Sequence, residues 1–135
     1  MDDVVKEWVA FSEMDLKTAT HLYETMNPRP LEIICYHCQQ SAEKILKAYL
    51  IYWRIRPDRT HDLRLLRGEC EKIDDTFLKV ADECERLNPY SSQPRYPMEI
   101  EIYDSDASKA LDDIEIIFNF TKDKITGGNI SAKRD

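Results

Sequence analysis

The chain predicts an all-α fold, a five-helix up-and-down bundle, on three observations. Apolar residues recur at alternating spacings of three and four through several long segments, the period of one helix face. Only three glycines occur in 135 residues, and Gly68 is the only one among the first 126. Gly-rich phosphate loops, nucleotide-binding crossover folds and turn-dense β folds need residues at positive φ, so all three are disfavoured. Prolines gather between the periodic segments rather than inside them. The length suits one domain, assigned to residues 1–126, with 127–135 as a flexible tail.

The first helix is expected over residues 3–26, with Val5, Trp8, Ser12, Leu16, Ala19, Tyr23 and Met26 as its apolar stripe. Asn27-Pro28-Arg29-Pro30 ends it, because proline cannot continue a helix and biases the residue before it toward extended geometry. A second helix over 31–53 carries Cys35, Cys38, Ala42, Ile45, Tyr49 and Tyr52/Trp53, the strongest core signal in the chain. Thr60 is read as the cap of a short third helix with Leu63, Leu66 and Cys70 on its face. Asp74 is read as the cap of a fourth, lined by Phe77, Val80/Ala81, Cys84 and Leu87. Residues 88–103 hold three prolines and read as a loop. A fifth helix, capped by Asp104 or Ser105, carries Ala107, Leu111, Ile114, Phe118, Thr121 and Ile125. Two helices of about 23 residues, roughly 35 Å long, leave apolar surface over in so small a chain, which points to a homodimer.

Net charge is −7, which argues against a generally basic polyanion binder, but the charge is unevenly spread. Arg54, Arg56, Arg59, Arg64 and Arg67 face only Asp58 and Asp62 in their stretch, whereas residues 99–115 hold seven acids against Lys109. The acidic N-terminus and the absence of an apolar run of roughly 18 residues predict a cytoplasmic protein without a membrane segment. Cys35, Cys38, Cys70 and Cys84 then read as reduced thiols.

Four sets of residues invite a chemical reading. Cys35 and Cys38 share a helix face, but His37 points away from it and no second pair follows at zinc-site spacing, so buried thiols are expected rather than metal ligands. His37, Gln40 and Lys44 form a polar stripe that Gln39, Glu43 and Lys47 extend, facing either a cleft or water. Asp15 falls between apolar positions of the first helix and needs a cationic partner if buried. Residues 54–62, Arg-Ile-Arg-Pro-Asp-Arg-Thr-His-Asp, are the densest polar cluster. There His61 is expected at the first turn of the third helix, where free amides and the helix dipole favour a neutral imidazole and a nearby anion. A neutral histidine beside arginines suits metal-independent cleavage of RNA, with His61 moving the proton and Arg56 holding the phosphate. Local capping is the alternative reading of the same residues.

Trp8, Ala10, Asp15-Leu16 and Ala19, the string Cys35-Tyr36-His37-Cys38-Gln39-Gln40-Ser41-Ala42-Glu43-Lys44-Ile45-Leu46-Lys47-Ala48, then Thr60-His61-Asp62-Leu63 and Arg95-Tyr96-Pro97, resemble the HEPN domain over about residues 8–126. The resemblance implies a five-helix bundle, commonly a homodimer, that binds nucleotide or RNA. It further implies a separately encoded minimal nucleotidyltransferase as partner, often in a toxin–antitoxin pair. Many such proteins are metal-independent ribonucleases built on an arginine, four to six residues and a histidine, a spacing that Arg56 and Arg54 both meet with His61. Two departures stand out: the motif tends to lie later in the nuclease members, and Leu63 stands where some members place a tyrosine that receives a nucleotide.

These observations predict a dimeric binding protein without cofactor or metal, in which His37, Lys44, His61, Arg95 and Tyr96 converge on nucleotide or RNA, Tyr96 stacking on a base. The alternatives are an endoribonuclease toxin using Arg56 and His61, and a structural dimer module whose only ligand is its partner.

Overall fold

A computed structural model describes residues 2–92 and 101–127. The helices are α1 (Asp3–Thr25), α2 (Leu31–Tyr52), α3 (Leu63–Ile73), α4 (Ala81–Leu87) and α5 (Asp104–Thr126), and no strand occurs among the described residues. The all-α bundle predicted from the periodicity is therefore observed. Helix α2 is its centre: α1 runs along it, α5 packs against both, and α3 with α4 closes the remaining side.

Each boundary has a local cause. The Asp2 carboxylate accepts from the Val5 N–H and caps α1. Helix α2 stops at a left-handed residue, Arg54 at φ 62, with the Arg54 and Ile55 amides turning back to the Ile51 and Leu50 carbonyls. Two caps differ from expectation. Asp62, not Thr60, caps α3 by accepting from the Arg64 N–H, while the Thr60 hydroxyl accepts from the Asp62 N–H one step earlier. At α5, Tyr103 is the capping position and Asp104 is already helical, with the Asp106 carboxylate accepting from the Tyr103 N–H. Asp74 does cap the next element, but its first turns, Asp75–Val80, are 3₁₀ before α4 begins.

The core is built from Ile34, Ile45, Leu46, Leu50, Leu63, Leu66, Phe77, Leu87, Ile114 and Ile117. On α1 the buried line is Val5, Val9, Ser12, Asp15 and Ala19. The predicted stripe is thus rotated: Trp8, Leu16 and Tyr23 flank the core and Met26 is exposed. Ser12, common to both lines, marks a close approach to α2. Ser12 Oγ donates to the Ser41 carbonyl at 2.7 Å and Ser41 Oγ donates to the Ser12 carbonyl at 2.8 Å, so small side chains rather than Trp8 meet at the crossing. Among the described residues no helix is long and apolar enough to cross a membrane.

Candidate functional site

Where α1 faces α2, Asp15 is buried and receives two side-chain donors. His37 Nδ1–H donates to Asp15 Oδ1 at 2.8 Å and Lys44 Nζ donates to Oδ2 at 2.7 Å. Burial raises the pKa of the Asp15 carboxyl, but the hydrogen bonds and charges of His37 and Lys44 outweigh it, leaving the group below the ordinary carboxylate value. His37 and Lys44 lie seven residues apart on one face of α2, so a single acid on α1 holds both.

Beside Lys44 on α2, Glu43 is almost fully buried and organises a second network. His61 Nδ1–H donates to Glu43 Oε1 at 3.0 Å, and Lys47 Nζ donates to Oε2 at 2.9 Å. Gln39, wholly buried, donates from Nε2 to the His61 carbonyl at 3.0 Å, and Gln40 Nε2 donates to Gln39 Oε1. The residue after His61 is fixed from the other side, since Asn88 Nδ2 donates to Asp62 Oδ1 and the Leu63 N–H donates to Asn88 Oδ1. His61 is held at its backbone and at one ring nitrogen. Its side chain is nonetheless 72% exposed. With Nδ1 committed to Glu43, Nε2 is the nitrogen left for a ligand, an arrangement suited to hydrogen bonding or proton transfer.

The five arginines of 54–67 divide into two kinds. Arg64 pairs with Asp62 and Glu85, and Arg67 pairs with Glu71. Arg54, Arg56 and Arg59 are exposed and have no side-chain partner among the described residues. Three guanidiniums and the exposed His61 ring thus share one connecting segment between α2 and α3.

The sequence-predicted residues separate accordingly. His37 and Lys44 are both bonded to Asp15, because a buried carboxylate needs compensation, and among the described residues no hydrogen bond or ion pair joins them to His61. His61 precedes the cap of α3 rather than lying in its first turn, so its ring is bonded to Glu43 and not to helix amides. Arg56 lies where expected, on the exposed segment. Arg95 and Tyr96 fall outside the described residues, as does the expected tail beyond Gly127. Cys35, Cys38, Cys70 and Cys84 are free and buried, and burial pushes Cys35 up to about 12, so these thiols pack as small hydrophobes. Gln39 and Glu43, expected on the hydrophilic surface, are instead the residues that hold His61. Their i, i+4 spacing, with Lys47 a further four residues on, puts them on one face of α2 but does not tell whether that face is covered. Asp113, one of the seven acids of residues 99–115, is fully buried and accepts from both Nε and Nη2 of Arg86 at 2.9 Å.

The comparisons with known proteins agree with this architecture. The family model described as HEPN domain matches residues 5–125. Comparison with curated proteins gives no match. Among solved structures, the crystal structure of TT1696 from Thermus thermophilus aligns with a TM-score of 0.78 at 19% identity, covering 91% of this chain and 99% of that one. The crystal structure of ST0689, an archaeal HEPN homologue, aligns with a TM-score of 0.69 at 23% identity, covering 90% of this chain and 97% of that one. At such identities the likeness is one of fold, whereas the family match spans nearly the whole sequence. The chain belongs to the HEPN domain family.

Proposed function

We propose that this protein is a cytoplasmic binder of nucleotide or single-stranded RNA that contacts phosphate through residues 54–61. In this reading it acts as a homodimer together with a separately encoded minimal nucleotidyltransferase, in a toxin–antitoxin pair. One observation carries the binding part: Arg54, Arg56 and Arg59 stay unpaired among the described residues while their neighbours Arg64 and Arg67 are neutralised. Guanidiniums without internal partners are suited to bidentate phosphate contacts. Val4, Phe11 and Met14, exposed along α1, are consistent with a covered face in a dimer.

The test is titration of labelled single-stranded RNA and of AMP with wild type, Arg56→Ala and Arg59→Ala. Each substitution should weaken binding by about tenfold, the worth of one charge-assisted hydrogen bond. Unchanged affinity in both variants would remove this segment from the site. Co-purification with the product of a neighbouring nucleotidyltransferase gene tests the partnership, and its absence would leave the protein acting alone.

The Glu43–His61 hydrogen bond favours a second reading, an endoribonuclease. Here Nε2 would take the proton of a 2′-hydroxyl as its oxygen bonds to the adjacent phosphorus and the P–O5′ bond breaks, the leaving oxygen taking a proton from water; Glu43 would steady the imidazolium that forms, and Arg56 would hold the phosphate. Cleavage of single-stranded RNA in chelator, abolished in His61→Ala with the helical signal intact, is the expected result; intact RNA with the wild type rules this reading out.

A further inference from the structure

An open pocket of about 680 Å³ lies where the ends of α2, α3 and α5 meet, lined by Tyr49, Trp53, Ile73, Asp74, Asp75 and Lys124 among others. That volume falls within the range of roughly 300–1,000 Å³ that holds small molecules. Its walls are of two kinds. Trp53 is 47% exposed and offers an aromatic face, set edge-on against Tyr52. The polar wall holds the carboxylates of Glu71, Asp74, Asp75 and Asp123 against two lysines, of which Lys72 pairs with Glu69 at 3.2 Å. Lys124 is committed to Asp74 at 2.7 Å and lies over the Phe77 and Phe120 rings, and Glu71 is held by Arg67. Asp75 and Asp123, both exposed, have no side-chain partner among the described residues.

Such a wall repels phosphate and accepts hydrogen bonds from neutral N–H groups. The chain leaves the pocket from Trp53 directly into Arg54 and Arg56, where the electrostatic preference reverses. An aromatic platform and carboxylate acceptors on one side of a boundary, with unpaired guanidiniums on the other, match a molecule that is flat and amino-bearing at one end and anionic at the other.

We propose that this pocket takes the base of a nucleotide, stacked on Trp53 with its phosphates outside on Arg54 and Arg56, and that the carboxylate rim prefers amino-bearing bases to uracil. The proposal rests on the phosphate-binding reading of residues 54–61 and adds to it a base site and a selectivity.

The chain has two tryptophans, so Trp8→Phe isolates the fluorescence of Trp53. In that background, titration with AMP should quench saturably, and UMP should bind more weakly by roughly fivefold, the worth of one hydrogen bond. Trp53→Ala should lose most mononucleotide affinity by calorimetry, and Asp75→Ala with Asp123→Ala should erase the preference for AMP. Equal binding of AMP and UMP overturns the selectivity. Calorimetric AMP binding that ignores Trp53→Ala but falls with Arg56→Ala overturns the pocket and spares the phosphate segment; RNA binding without mononucleotide binding does the same. Quenching by spermidine but not by AMP makes the pocket a cation site and overturns the proposal. If neither AMP nor RNA binds, the pocket and the phosphate-binding reading fall together.

Discussion

The Asp15–His37–Lys44 network and the 54–61 segment are both clusters of polar side chains, and the structure uses them in opposite ways. In the first, one buried carboxylate between two helices takes a histidine and a lysine, and each charge is matched inside the fold. In the second, three guanidiniums project without side-chain partners among the described residues, while the His61 ring is tied down by Glu43. A matched cluster supports packing and has little attraction left for a ligand. An unmatched exposed cluster contributes almost nothing to stability and keeps its interaction energy for a ligand. The two should therefore respond oppositely to substitution.

The largest expected effect is at Asp15. Asp15→Ala strands a half-buried Lys44 and His37, and should lower unfolding free energy by about 2–3 kcal/mol, toward the low end for broken buried pairs because both side chains keep some solvent contact. Urea unfolding measures it, and a loss no larger than that of an ordinary surface change would mean that the network is solvated. The same pair predicts a pH dependence. Because the Asp15 pKa is lower in the folded than in the unfolded chain, its contribution is present above the ordinary value of 3.8 and lost as pH falls through the folded value. The stability gap between wild type and Asp15→Asn should accordingly be full at neutral pH and shrink below 3.8. A gap that widens in acid reverses the sign of the argument.

A smaller effect, of opposite direction, is expected at Arg54. At φ 62 a side chain is strained and glycine is not, so Arg54→Gly should raise stability by about 0.5–1 kcal/mol while weakening any phosphate contact made there. Thermal unfolding and RNA titration of the same variant would show both signs. The smallest change in stability belongs to Arg56→Ala and Arg59→Ala, within about 0.5 kcal/mol of wild type. Each should still reduce the dependence of log affinity on log salt by about 0.7 for single-stranded RNA. A stability loss as large as that of Asp15→Ala would erase the contrast between the two regions.

The helices were legible because burial imposes a period that survives in one dimension: Cys35, Cys38, Ala42, Ile45 and Tyr49 mark the inner face of α2 in the sequence and in the bundle. Residue type also marked Asp15, a lone acid among apolar positions. What periodicity could not show was the rotation of α1 that buries Val9 and Asp15 in place of Trp8 and Leu16, because that depends on the shape of α2 opposite. Nor could it separate Glu43 from the solvated acids near it. A carboxylate four residues before a lysine looks the same on an open face as under a loop.

The sequence by itself therefore determined an all-α bundle, its breaks, a buried acid needing cations and a cluster of arginines ending at a histidine. Each follows from local propensity, spacing or desolvation, which act along the chain. Only the tertiary structure decided which charges are spent and which remain. His37 and Lys44 meet Asp15 across a helix pair, Gln39 and Glu43 hold His61, and Trp53 lines a pocket next in sequence to arginines without side-chain partners among the described residues. Those outcomes depend on groups 18 to 29 residues apart coming within hydrogen-bond reach, which one-dimensional spacing does not encode.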